Sequence, residues 1–243
     1  MKVVAMIPAR YNASRFPGKL MKDLSGKPVI IRTYEATLNT KLFDNVIVIT
    51  DSKIIYSEVK KYGGNVLMSD KNHESGSDRI AEAAINIDCD IIVNVQGDEP
   101  FVEIESLKSL INVFNSDDAD KIDLASLMVK IKDNKDIDNP NCVKVITDKN
   151  NFAIYFSRSK IPYNRSTNNE CHYFKHKGVY AFKKSTLLEF TNLPMTSLER
   201  IEKIECLRFL EYGKKIKMVE SNVQGVEIDT PSDLSKAIKL WNS

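Results

Sequence analysis

The sequence predicts an α/β protein: a single domain built on a doubly wound, mostly parallel sheet, with a smaller mixed β element in its second half. Three observations carry that expectation. Apolar runs at 2–7, 45–50 and 66–68 alternate with amphipathic stretches at 29–38 and 53–62, the rhythm of parallel strands joined by crossover helices. The most strand-like run, 90–95, breaks into the acidic turn Gln96-Gly97-Asp98-Glu99-Pro100, and open α/β sheets gather ligands at such strand ends. From Leu124 onward the alternation loosens into shorter strand-like runs, which places the second element there.

The first strand is expected to end at Pro8 and to open into a loop carrying Arg10, Arg15 and Lys19 with no acidic residue, its path fixed by Gly18 and two prolines. Guanidinium forks and an ammonium on one constrained loop suit a polyanion such as a triphosphate. Taken alone, the loop serves equally as a solvated basic loop, and its spacing is not that of a Walker loop. After a turn at 24–28 comes the helix over 29–38. The strand 45–50 stops at Asp51-Ser52, which caps the helix 53–62, and Gly63-Gly64 closes that helix.

The polar loop 72–79 follows, with Ser77 or Asp78 expected to cap a helix over 80–87. Gly76 and Arg79 are then spare, and a glycine loop at a helix start is a natural place for an anion or a base edge. His73 reads as a loop histidine rather than a ligand. Asp98, at the end of a buried strand, is the favoured ligand for Mg²⁺, a hard cation that takes one or two carboxylates plus phosphate oxygens. Glu99 ranks below it, and a plain polar turn is the alternative for both.

A helix over 102–114 and a charged break at 115–121 lead to the strand 124–129. Runs 143–146 and 152–156 form a hairpin, followed directly by Arg158, and the polar stretch 164–170 reads as a mobile loop. In the run 175–182, alternation puts His176, Gly178 and Tyr180 on one face. Beside Arg158 such a face suits a hydroxyl-rich acid, and equally an ordinary half-buried strand. A helix is expected over 198–212, closed by Gly213, with Glu199, Glu202 and Glu205 on its solvated side. A late strand at 216–219 precedes the last helix, 234–241, for which Thr230, Pro231 and Asp233 supply the start signals. Asp229 has no such duty and is available as the second metal carboxylate.

Composition narrows the partners. Of 243 residues 35 are basic and 33 acidic, so the net charge of +2 offers no field for nucleic acid or a membrane surface, and small molecules are the expected partners. Neither a signal-peptide pattern nor a long apolar run is evident, which points to the cytoplasm. Cys89, Cys142, Cys171 and Cys206 lie far apart without a Cys-x-x-Cys pair, so they read as free thiols rather than zinc ligands.

The motifs, in order, are Ile7-Pro8-Ala9-Arg10-Tyr11, Arg15-Phe16-Pro17-Gly18-Lys19, Gly26-Lys27-Pro28, His73-Glu74-Ser75-Gly76-Ser77-Asp78-Arg79, Asn94-Val95-Gln96-Gly97-Asp98-Glu99-Pro100, Tyr155-Phe156-Ser157-Arg158, His176-x-Gly178-Val179-Tyr180 and Asp229-Thr230-Pro231-Ser232-Asp233. This series resembles the 3-deoxy-manno-octulosonate cytidylyltransferase (CMP-Kdo synthetase) family across essentially the whole chain. The resemblance implies a nucleotide-diphospho-sugar transferase-like fold and the reaction CTP + Kdo → CMP-Kdo + diphosphate, which activates Kdo for lipopolysaccharide. It implies Arg10 and Lys19 on the triphosphate with Arg15 close by, and Ser75, Gly76 and Arg79 near the cytidine. Asp98 and Asp229 would be the Mg²⁺ ligands, while Gln96, Arg158, His176, Tyr180 and Glu205 would lie around the sugar acid.

By the same resemblance, residues to about 120 form the CTP-binding half and the remainder the sugar-binding and dimerisation half of a homodimeric enzyme. Arg10, Lys19 and Asp98 would carry catalysis. The reaction is an in-line attack by the anomeric hydroxyl on the α-phosphorus, so positioning and charge neutralisation suffice and no covalent nucleophile is needed. A metal on Asp98 and Asp229 would assist that hydroxyl, with a second Mg²⁺ on the β/γ-phosphates. Three positions depart from the family pattern: Leu20-Met21, Ser77-Asp78 and Lys177. The last leaves the 8-amino analogue of Kdo, or another 2-keto-3-deoxy sugar acid, open as the acceptor. Two rival classes are a related sugar-phosphate nucleotidyltransferase or glycosyltransferase, and a non-catalytic nucleotide binder. The lack of an Asp-x-Asp motif at a strand end and the His176/Tyr180 face speak against the first, and the intact Arg10, Lys19, Asp98 and Asp229 against the second.

Overall fold

The computed structural model of the protein describes every residue except 13, 14, 71, 72, 74, 167–170, 224, 225 and 243. Its first elements are β1 (Val3–Ala9), β2 (Asp23–Leu24), β3 (Lys27–Pro28), α1 (Val29–Asn39), β4 (Asn45–Thr50), α2 (Lys53–Lys61), β5 (Val66–Met68), α3 (Gly76–Ala84) and β6 (Ile91–Asn94). There follow α4 (Ile104–Asn112), β7 (Leu124–Lys130), α5 (Asn134–Asp138), β8 (Lys144–Thr147), β9 (Ala153–Ser157), β10 (Phe174–Lys183) and α6 (Lys184–Phe190). The last are α7 (Ser197–Glu202), α8 (Cys206–Glu211), β11 (Ile216–Glu220) and α9 (Pro231–Trp241). The chain divides into two compact units, one of Met1–Ile104, Lys183–Thr191 and Gly225–Ser243, the other of Glu105–Phe182 and Asn192–Gln224.

The first unit holds the parallel strands in the order β6-β1-β4-β5, as the early alternation predicts. β1 runs through Pro8 to Ala9, because its pairing with β4 continues to Ala9 opposite Thr50. β1 and β6 end side by side, with Met6 opposite Asn94 and the Val95 amide donating to the Met6 carbonyl at 3.1 Å. Loops 10–19 and 96–100 therefore leave from the same sheet edge.

Two helices start close to the site loops. Ser75, not Ser77 or Asp78, caps α3, its hydroxyl accepting from the Asp78 amide at 3.1 Å, so Gly76 and Arg79 belong to the helix. Both predicted caps fall inside the first turn because Ser75 alone has the extended backbone that a cap requires. α9 starts as expected: Thr230 and Asp233 form a reciprocal capping box around Pro231. At its far end Trp241 packs against the Phe101 ring, 5.5 Å between centroids, and under the Arg32 guanidinium at 4.7 Å.

The second unit contains a mixed set of strands. β11 runs parallel to β7, β10 is antiparallel to both β7 and β8, and β8-β9 is the expected hairpin. The register of β10 on β7 shifts between Lys177 and Tyr180, yet His176 and Tyr180 still share a face, with ring centroids 5.4 Å apart. The expected helix over 198–212 is two helices. α7 stops at Lys203, whose φ of 55° no helix continues, and α8 begins at Cys206. Arg158 occupies the break, its Nε and Nη2 donating to the carbonyls of Glu202 and Lys203 at 2.6 and 3.2 Å, so the freed carbonyls bind a charged fork in place of helical amides.

Glu199 and Glu202 are likewise not on a solvated side. Glu199 is buried and takes two 2.6 Å bonds from Arg208, while Glu202 accepts from Ser157 Oγ at 2.6 Å and from the Arg158 amide at 3.0 Å. Of the polar stretch 164–170, residues 167–170 lie outside the described residues. All four cysteines are free thiols, as expected. No helix among the described residues is long and apolar enough to cross a membrane.

Candidate active site

Three backbone segments of the first unit meet at Pro8. A Cβ on Gly97 would lie 3.1 Å from the Pro8 carbonyl oxygen, and one on Gly76 would lie 3.3 Å from the Pro8 ring. Glycine allows both close approaches without strain, which gives two glycines of the motif series a packing role. Beside this junction is a cavity of about 350 Å³ lined by Arg10, Arg15, Lys19, Gln96, Asp98 and Asp229. The basic loop is closed by Gly18, whose amide donates to the Tyr11 carbonyl at 3.0 Å from a backbone with φ of 68°.

Asp229 is drawn to Asp98 by the backbone, because the Ile228 amide donates to the Asp98 carbonyl at 3.0 Å. The Lys19 ammonium donates to Asp98 Oδ2 and, at 2.8 Å, to Asp229 Oδ1. Arg15 pairs with the other oxygen of Asp229 at 2.8 Å. Asp229 is therefore not without partners, as its sequence context had it, but carries two cations. Burial alone would lower the Lys19 ammonium, yet the two carboxylates outweigh it and hold the group above its ordinary value.

A third carboxylate completes the cluster. Glu227, Asp98 and Asp229 each present an oxygen within 4.8 Å of the others. Glu227 is an exposed residue, but its carboxyl is hemmed in by protein; that burial, followed by the charges of Asp98, Asp229 and Glu99, pushes it up to about 8. Three hard oxygen donors and no sulfur or imidazole fit Mg²⁺ or a similar hard divalent ion. Sequence reasoning missed Glu227, although its two-residue spacing from Asp229 was the available signal.

Ser75 and Arg79 have structural duties. Arg79 is buried, donating to the Ala9 carbonyl at 3.3 Å and to Asp51 at 2.6 Å. It thereby ties the ends of β1 and β4 together, and its guanidinium beside Asp51 holds that carboxyl below its ordinary value. Gly76 lines the cavity.

Arg158, His176, Tyr180 and Glu205 lie in the second unit. His176 Nε2 is 2.8 Å from Ser126 Oγ, its ring meets Phe156 edge-on at 5.0 Å, and the Tyr180 hydroxyl is 3.0 Å from Cys206 Sγ. Burial pushes His176 down to about 4, the Cys206 thiol up to about 12, and Tyr180 well above its usual value, so this cluster is uncharged at neutral pH. Glu205 immediately precedes Cys206 at the start of α8. Besides the α7 carbonyls, Arg158 binds the Pro140 carbonyl at 2.9 Å. Behind it Lys144, fully buried and unremarked in the sequence, donates to the carbonyls of Asn139, Cys142 and Arg158 at 2.9, 2.7 and 2.6 Å.

The cytidylyltransferase family model matches residues 4–216. A 3-deoxy-manno-octulosonate cytidylyltransferase of Christiangramia forsetii is 62% identical over 239 residues, covering 98% of this chain and 96% of its own. The chain belongs to the 3-deoxy-manno-octulosonate cytidylyltransferase family. Another member, from Flavobacterium johnsoniae, is 58% identical over 237 residues, covering 98% of this chain and 97% of its own. A solved CMP:2-keto-3-deoxy-manno-octonic acid synthetase complexed with CTP superposes with a TM-score of 0.94 at 36% identity, covering 100% of this chain and 99% of that one. Membership in this cytidylyltransferase family makes the protein a nucleotidyltransferase, built on the mostly parallel α/β sheet that its sequence predicts.

Proposed function

We propose that the protein transfers the cytidylyl group of CTP to Kdo, forming CMP-Kdo and diphosphate with the help of Mg²⁺. The anomeric hydroxyl of the sugar releases its proton to solvent as its oxygen bonds to the α-phosphorus; the α-phosphorus to bridging-oxygen bond breaks, and diphosphate leaves. The observation that carries this reading is the cation-lined cavity at the ends of β1 and β6, where Arg10, Arg15 and Lys19 face Asp98 and Asp229. The three cations bind and orient the triphosphate and draw charge toward the leaving diphosphate. Gly76, with Pro8 behind it, leaves room for the nucleoside against the backbone. Asp98 and Asp229, with Glu227 beside them, would hold the metal, which when bound supplies Lewis-acid neutralisation of phosphoryl charge.

Arg158, His176, Tyr180 and Glu205 of the second unit are our proposed contacts to the sugar acid, and Gln96, which we also propose as a substrate contact, lines the cavity of the first. The neutral, desolvated His176 and Tyr180 suit hydroxyl groups better than charge. We read the whole chain as one cytidylyltransferase domain that works in the cytoplasm as a homodimer. The apolar side chains that the second unit exposes, Ile154 and Ile201 among them, support the dimer.

Diphosphate release from CTP and Mg²⁺ tests the reading, with Kdo, 8-amino-Kdo, N-acetylneuraminate or no sugar as acceptor. Release with Kdo that EDTA abolishes is expected. Release with another sugar only moves the acceptor assignment, and no release with any of them overturns the reading.

A further inference from the structure

We propose that Lys19 is an exchangeable counter-cation for Asp98 and Asp229, and that the arriving triphosphate draws it off as a divalent ion takes its place. The inference rests on the reading of Lys19 as a triphosphate ligand. One ammonium has three donors, and two of them are committed to carboxylates 79 and 210 residues away in sequence. The three side chains are only 15, 13 and 19% exposed, so water competes weakly for these bonds. A hard divalent ion would seek the same two carboxylates. Two cations a few ångströms apart in a poorly hydrated site repel strongly, so ion and ammonium exclude one another there.

Lysine suits an exchange of this kind, since its point charge rides on a flexible four-carbon stem and needs no fixed planar fork. A triphosphate in the cavity that Lys19 lines offers the ammonium an equivalent anion one side-chain swing away. Arg15 cannot play this part, because its side chain is 70% exposed and, among the described residues, its ion pair is with Asp229 and not with Asp98. The ion and the nucleotide are then positively coupled: each relieves a cost that the other would meet alone.

The test is Mn²⁺ binding without nucleotide, read from the electron paramagnetic resonance signal of free Mn²⁺. The proteins are the wild type, Lys19→Met, Arg10→Met, Asp98→Asn and the Lys19→Met/Asp98→Asn double variant, with Lys19→Gln replacing Lys19→Met should circular dichroism show that variant misfolded. Removing the counter-cation should tighten Mn²⁺ binding by about tenfold or more, whereas Arg10→Met, the same charge change in the same cavity, should shift it by less than about threefold. The double variant should lose the gain. Equal or weaker binding by Lys19→Met, or an equal gain from Arg10→Met, overturns the exchange while leaving the metal site in place, provided Asp98→Asn weakens wild-type binding. If Asp98→Asn changes nothing, the metal assignment itself fails, and the exchange fails with it.

Discussion

Each unit holds a poorly hydrated cluster of opposite charges, and the two are built on different terms. In the second unit Arg208 and Glu199 meet one to one, through two bonds of 2.6 Å, and Glu199 also closes the capping box of α7. Arg208 also donates to the Leu193 carbonyl at 3.4 Å. In the first unit one ammonium serves two carboxylates, a third carboxylate stands within 4.8 Å, and a cavity opens beside them. A closed pair holds architecture in place; two aspartates that share one ammonium beside an open cavity at a strand end are where a substrate and a metal still have something to contribute.

Substitutions can break this contrast. Asp98→Asn should lower kcat in the diphosphate assay by about 10³- to 10⁴-fold, with the melting temperature within a few degrees of wild type, because the amide oxygen still accepts from Lys19. A large loss of stability instead would place Asp98 among the structural pairs. Arg208→Met should do the reverse. It leaves Glu199 buried and unpaired, costing about 3–5 kcal/mol in urea unfolding while CTP affinity, measured on the folded protein by calorimetry, stays unchanged.

The uncharged cluster sharpens the comparison through pH. Folded His176 titrates near 4, whereas an unfolded histidine takes up its proton near 6.5. Between those values the unfolded chain binds more protons, so this contribution to stability is complete above 6.5, falls as the pH drops, and is gone below about 4. The loss amounts to at most about 3 kcal/mol. Comparing wild type with His176→Gln in urea titrations across that range isolates it, and identical slopes for the two proteins would refute the assignment. The smallest effect belongs to Gly97→Ala, whose new methyl would press on the Pro8 carbonyl at 3.1 Å. A cost of about 1–2 kcal/mol, seen as a raised KM for CTP with kcat little changed, is expected.

Much of the first unit was legible because its signals are local. Apolar runs bounded by Gly, Pro and Ser reported the β1-to-β5 alternation, and Thr230-Pro231-Ser232-Asp233 announced α9. What escaped depends on partners distant in sequence. Glu199, Glu202 and Glu205 have a helical surface spacing, but Arg208 and Ser157 claim the first two, and Arg158 ends the helix. Arg79 looked available within a glycine loop, while its partners Ala9 and Asp51 come from the ends of two other strands. Lys144 stands in a strand with no local oddity, and only the fold brings three carbonyls to its ammonium. Glu227 was the one omission with a readable cue.

The chain's sole tryptophan lies at the last residue of α9, whose cap directly follows Asp229, and it rests on Phe101, three residues beyond Asp98. The two segments that supply the aspartates thus converge again on a single indole, with a guanidinium 4.7 Å from its ring. Nature has placed a fluorophore where the two arms of the site are pinned, so the seating of those arms is readable in the emission of the unlabelled protein.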